Sequence, residues 1–309
     1  MAGCCERAHM SVEPPTLERD DVQIVDDDRF VSESVALVTG AASGIGRATA
    51  VALAVNGVTV AGVDVDEDGL VETAETAADL DADGDVRVVE ADLTDDEDVI
   101  AAVEAAAEFG DLRFVANIAG LQHVAPLSQF PMDVYDTMQD VMVRAPVLVS
   151  KHALPHIRES GSGAIGNMAS VHGHYVTSDK VAYNVAKFAL RGLTQSIAAE
   201  GDVRKTTSSS SAAHQNAERS EDGDVRGFSV STGYVKTPLV VDQIPDTAAE
   251  RGITEQEVVE DVMLGQARAS ELMEPVDVAN LFVLGFSELG SHLNGGDLRF
   301  DDGMTLTYD

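Results

Sequence analysis

The chain has 309 residues, 44% of them apolar, which suits one large α/β domain and argues against wholesale disorder. Its formal net charge is −34, with 54 acidic residues against 20 basic, so nucleic acid is a poor partner. The acids spread along the whole chain; salt screens such self-repulsion, with a Debye length of ~3 Å at 1 M, and the composition points to a salt-rich cytoplasm.

No apolar run approaches the length of a bilayer span, and the opening MAGCCERAHM has no stretch of signal-peptide type. The only cysteines, Cys4 and Cys5, are adjacent. They form no disulfide framework, suit a reducing compartment, and make a poor metal site. Residues 1–33 read as a disordered acidic tail, with Pro14-Pro15 and the run Asp26-Asp27-Asp28. Met10 is an alternative start.

From residue 34 the pattern is that of a single domain. An apolar strand over 35–38 leads through a glycine-rich turn into a helix ending near Asn56, with Gly57 as its stop. Strands follow at 58–63, 86–89 and 113–117, with helices at 66–80 and 97–109 between them. A helix over 133–153, a strand over 163–169 and a helix over 180–200 continue the rhythm. The stretch 203–224 is Ser-rich, polar and aperiodic, and reads as a surface insert. A strand at 225–231, helices near 254–268 and 275–286, and a last strand near 297–300 complete the domain. Strands alternating with helices predict a doubly wound parallel sheet of the Rossmann type.

Gly40, Ser43, Gly44, Ile45 and Gly46 join the first strand to the first helix. Glycines there let the backbone approach a pyrophosphate, which the helix N-terminus attracts. Asp64 ends the second strand, where a carboxylate accepts hydrogen bonds from an adenosine ribose and repels a 2′-phosphate, so the expected cofactor is NAD. Asp64, Asp66, Asp68, Gly69 and Glu75 also match the spacing of a calcium loop. That motif needs a preceding helix, and a strand is expected here, so no metal is assigned.

Tyr183 and Lys187 stand at i and i+4 of one helix. A nearby cation favours the phenolate and is expected to lower the Tyr183 pKa, which would let Tyr183 take a proton from an alcohol as hydride leaves for a nicotinamide. Ser170 closes the fifth strand and can polarise the substrate oxygen. The chain has only five lysines, and two of them, Lys180 and Lys187, flank Tyr183.

These residues resemble the short-chain dehydrogenase/reductase family, through TGAASGIG at 39–46, Asp92-Leu93, Asn117-Ile118-Ala119-Gly120, Ser170, the YNVAK run and the GYVKTP run at 233–238. The resemblance implies a sheet of about seven strands and a homotetramer. It also implies Asp92 and Leu93 near the adenine, Asn117 and Gly120 along the cofactor, and Val235 and Thr237 at the nicotinamide amide. A narrower resemblance to the D-3-hydroxybutyrate dehydrogenases rests on Gly120 to Pro126, Ala169 to Gly173, Lys180 and Thr237 to Ile244. It implies that Gln122, His172, Lys180 and Gln243 hold the carboxylate of a small hydroxy acid. Met142 stands where the family carries an Asn that holds a water of the proton relay. Phe228 and Thr232 are two further departures. The readings are an active (R)-3-hydroxybutyrate dehydrogenase, an enzyme for another secondary alcohol or sugar, or a dinucleotide-binding protein with impaired catalysis.

Overall fold

Short apolar runs become strands here because helices cover both faces of the sheet. The computed structural model describes residues 17–201, 224–265, 267–268 and 271–306. Its strands are β1 (Ser34–Thr39), β2 (Thr59–Asp64), β3 (Val86–Glu90), β4 (Asp111–Asn117), β5 (Ser162–Met168), β6 (Asp224–Thr232) and β7 (Asp297–Phe300). They form one seven-stranded sheet in the order β3-β2-β1-β4-β5-β6-β7, with every pairing parallel. The helices are α1 (Gly44–Val55), α2 (Glu67–Asp79), α3 (Asp96–Glu108), α4 (Met132–Gln139), α5 (Ala145–Glu159), α6 (Val181–Glu200), α7 (Pro238–Val241), α8 (Gln243–Arg251), α9 (Glu255–Glu257) and α10 (Pro275–Phe286). The fold is therefore the predicted Rossmann-type sheet.

Every residue of β1 is buried. One core joins the sheet to α1, α2 and α10, and a second joins it to α3, α5 and α6. After β3 the chain crosses to the other side of β1 and adds β4 there. That reversal opens a crevice at the carboxyl ends of β1 and β4, where α/β sheets take their ligands.

Four expectations are corrected or narrowed. Of the expected tail, residues 1–16 lie outside the described residues, whereas 17–33 are anchored to the domain. Val22 and Phe30 are buried, and the Phe30 ring lies 5.3 Å from that of Phe114. Asn280 accepts from the Gln23 amide at 2.7 Å, and Asn56 donates to the Gln23 carbonyl at 3.0 Å. The segment lacks periodicity because it is pinned at single residues rather than folded as an element. The insert assigned to 203–224 is described only at Asp224, which opens β6; the rest lies outside the described residues.

The helix expected at 133–153 is two helices, α4 and α5, joined by a π-helical turn at Asp140–Arg144. Near 254–268, among the described residues, α9 and a π-helical turn at Val258–Met263 form in place of one helix. Phe228 departs from the family pattern for a packing reason. It is fully buried, with its ring 5.9 Å from Phe282 and 5.3 Å from Phe286. Gly285 and Gly166 make room for it, since a Cβ at either would come within 2.3 and 2.7 Å of its ring.

Candidate active site

The glycine turn is shaped by close backbone approach. A Cβ on Gly46 would stand 1.9 Å from the Gly40 carbonyl oxygen, so helix α1 packs directly on the turn that precedes it. Gly40 itself has φ +72°, in the left-handed region. In a chain with 54 acidic residues, the first turn of α1 has none, unlike those of α2 and α3. Its leading amides have no intrahelical partners, and its dipole is left for an anion that the chain does not supply.

Asp64 ties this turn to β2. One of its oxygens accepts from the Ala42 amide at 3.2 Å, and the other from Val65 at 2.8 Å. Asp66 accepts from the Gly69 amide at 3.1 Å as the cap of α2. The acidic segment that matches a calcium loop is thus a strand–turn–helix joint, with two of its carboxylates engaged by backbone. Asp92 accepts from the amide and hydroxyl of Thr94, and these bonds hold its pKa below the usual carboxylate range.

A cavity of about 820 Å³ takes in Gly40, Ser43, Gly44, Ile45 and Gly46, together with Asp64, Asp92, Leu93, Gly120, Val235 and Thr237. The same cavity reaches Ser170, Tyr183 and Lys187. Asn117 is the predicted cofactor residue outside its lining. That side chain is buried in the sheet and donates to Asn167 at 2.9 Å, so its role is corrected to bracing β4 against β5. Asn167 in turn donates to Thr194 on α6 at 2.9 Å, a polar link that no motif marks.

Lys187 is buried and donates to the Met168 carbonyl at 2.7 Å. Its ammonium stands 5.2 Å from the centre of the Tyr183 ring. Burial lowers the Lys187 pKa to about 7. The expected lowering of Tyr183 is corrected: burial raises the phenol, with a hydrogen bond from Ser170 working the other way. Burial works against both charged forms, raising the phenol and lowering the ammonium.

Met142 lies in the π-helical turn, fully buried among Phe130, Met138, Ala182 and Ala186. A Cβ on Gly120 would stand 3.7 Å from its sulfur and 4.0 Å from the Lys187 ammonium. The thioether and the ammonium thus both lie near Gly120, and a thioether accepts a water's hydrogen bond only weakly.

The four predicted carboxylate ligands meet. Gln122, His172, Lys180 and Gln243 share a cavity of about 40 Å³ with Ser170 and Tyr183. The Gln122 Nε2 is buried without a partner among the described residues. Lys180 donates to Gln243 Oε1 at 3.3 Å. His172 shares a hydrogen bond with Thr177 at 3.0 Å, and its ring stands edge-on to Tyr183 at 5.6 Å. Burial and the two lysines push His172 down to about 3, so it is neutral. Burial, with Arg251 as a like charge, lowers Lys180 to about 8, so it is largely charged at neutral pH. Tyr234, also in this wall, is pushed up to about 12 by burial. Its place in the GYVKTP run is the one mark it carries in the sequence, and that motif assigns it no role.

A profile of the short chain dehydrogenase family matches residues 34–247. The chain belongs to the short-chain dehydrogenase family. It is 31% identical over 274 residues to a D-beta-hydroxybutyrate dehydrogenase of Rhizobium meliloti (strain 1021), covering 87% of this chain and 98% of that one. It is 33% identical over 276 residues to a cis-4-hydroxycyclohexanecarboxylate dehydrogenase of Sinomonas cyclohexanicum, covering 89% and 97%. Among solved structures, levodione reductase superposes with a TM-score of 0.78 at 27% identity, over 90% of this chain and all of that one. The protein is an oxidoreductase of this family, and no helix among its described residues is long and apolar enough to cross a membrane.

Proposed function

We propose that this short-chain dehydrogenase interconverts (R)-3-hydroxybutyrate and acetoacetate with NAD. The observation that carries the reading is the meeting of Gln122, His172, Lys180 and Gln243 in one cavity with Ser170 and Tyr183. A charged ammonium flanked by neutral donors suits a carboxylate, and the buried Gln122 Nε2, without a partner among the described residues, supplies a free donor.

The glycine turn, Asp64, Asp92 and Leu93 fit a dinucleotide, with Gly120, Val235 and Thr237 farther along the same cavity. Asp64 at the end of β2 supports NAD over NADP. A bound nicotinamide supplies the hydride acceptor. Ser170 holds the alcohol oxygen. Tyr183, once deprotonated, takes the hydroxyl proton as the carbinol becomes a carbonyl, and returns it in the reverse direction. Lys187 offers the phenolate a cation. His172 serves as a neutral donor. The family's homotetramer and a salt-rich cytoplasm complete the proposal, supported by Val185 and Phe188 exposed on α6 and by the net charge.

Met142 favours a second reading, a dinucleotide-binding protein with impaired turnover. NADH absorbance separates the two, with the purified protein in molar KCl and (R)-3-hydroxybutyrate. Turnover with NAD, and slower turnover with NADP, is expected. NAD binding without turnover at any salt concentration would overturn the proposal.

A further inference from the structure

The small cavity at Ser170 and Tyr183 has room for on the order of three waters. A substrate longer than a few atoms leaves it. The exit leads past Lys180, Tyr234 and Gln243, which also line a larger cavity of about 340 Å³. Arg251, in the last turn of α8, stands in the wall of that second cavity. Thr247, from the same helix, lines it too.

Lys180 and the solvent-exposed Arg251 present two cations to this one cavity, and the like charge of Arg251 disfavours the Lys180 ammonium. Several of the chain's other cations are neutralised directly, Arg29, Arg47, Arg87, Arg113, Arg144 and Lys236 each contacting a carboxylate, while Arg158, Arg191 and Arg226 bond to backbone carbonyls. Among the described residues Arg251 makes no ion pair, and Lys180 is bonded only to the neutral Gln243. Asp179 and Asp261 also line the cavity, yet neither comes within ion-pairing distance of either cation. Both positive charges therefore stay available to a ligand.

We propose that the cavity between Lys180 and Arg251 is a second anion subsite, which admits hydroxy acids whose carboxylate stands farther from the carbinol carbon than in 3-hydroxybutyrate. The proposal rests on the hydroxy-acid reading above and extends its substrate class. A short acid ends at Lys180. A longer one carries its carboxylate on to Arg251, with the Thr247 hydroxyl as a neutral donor.

The probe pair is (R)-3-hydroxybutyrate and (R)-5-hydroxyhexanoate, which share a methyl carbinol and differ by two methylenes before the carboxylate. Steady-state kinetics with NAD would be measured for the native enzyme, Arg251→Gln and Arg251→Lys. Arg251→Gln is expected to raise KM for the longer acid about tenfold more than for the shorter, from loss of one charge-assisted hydrogen bond, and Arg251→Lys should restore most of it. Equal effects on both acids would overturn the subsite. So would a lowered Tm with neither KM changed, because Arg251 would then only serve the C-terminal end of its helix. If the native enzyme oxidises the shorter acid but not the longer, the subsite falls and the proposed function stands. If it oxidises neither acid but does oxidise uncharged butan-2-ol, both fall.

Discussion

The nucleotide end and the substrate end of the cleft are built from different materials. At the nucleotide end the proposed cradle is mostly backbone. Gly40 and Gly46 shape a turn, α1 presents bare amides, and Asp64 locks the turn to β2. At the substrate end the proposed ligands are side chains, and they come from four separate segments at Gln122, His172, Lys180 and Gln243. A backbone cradle tolerates little change in its glycines and much in its neighbours. A side-chain cradle can be retuned one residue at a time, as Met142 and Arg251 suggest.

The largest expected effect tests the point where the two ends meet. Tyr183→Phe should lower kcat by about 10²–10⁴-fold, the usual contribution of a general acid or base, and leave the NAD Kd within about twofold. An active Phe variant would place the proton transfer elsewhere. Gly46→Val tests the backbone end. Its side chain meets the Gly40 carbonyl, so the turn must open. Calorimetry should show NAD affinity lost by about 10²-fold or the fold destabilised, and ordinary affinity and Tm would contradict the cradle.

The substrate end should instead respond to pH. Burial and Arg251 hold the Lys180 pKa at about 8, so its charge is present below that pH and lost above it. Raising the pH through about 8 should therefore lower kcat/KM for the hydroxy acid relative to a neutral alcohol. The ratio should be flat in Lys180→Met. The smallest effect concerns the relay. Met142→Asn should raise kcat several-fold by restoring a water-holding group beside Lys187. It should also cost about 2 kcal/mol or more of stability, because a polar group enters an apolar cluster. An unchanged or lowered kcat would mean that protons leave Tyr183 by another route.

Legibility in the sequence follows the same division. The glycine turn, Asp64, and the Tyr183–Lys187 pair are local spacings on one strand–helix unit or one helix. Periodicity and position sufficed to find them. The alternation of strands and helices, and so the parallel sheet, was legible for the same reason, since each β–α step is local; the order of the strands depends on long-range pairing and was not predicted. Gln122 and Gln243 were found only through resemblance, because nothing local in a lone glutamine marks it as a ligand. Arg251 was not found. It matches no motif and reaches the cavity only because α8 folds back over Lys180. The anchoring of residues 17–33 was missed because Val22 and Phe30 are single anchors without a period. The pKa of Tyr183 was misjudged because spacing reveals the cation but not the burial that raises the phenol and lowers the lysine.

The account stands or falls on the charge of the substrate. The most direct measurement is kcat/KM of the native enzyme, with NAD, for (R)-3-hydroxybutyrate against butan-2-ol, its analogue without a carboxylate. A cavity with Lys180, Gln122 and Gln243 around the carboxylate predicts that the acid is preferred by at least about 10²-fold, since buried donors left unpaired penalise the neutral substrate. Equal turnover of the two, or preference for the alcohol, would contradict it.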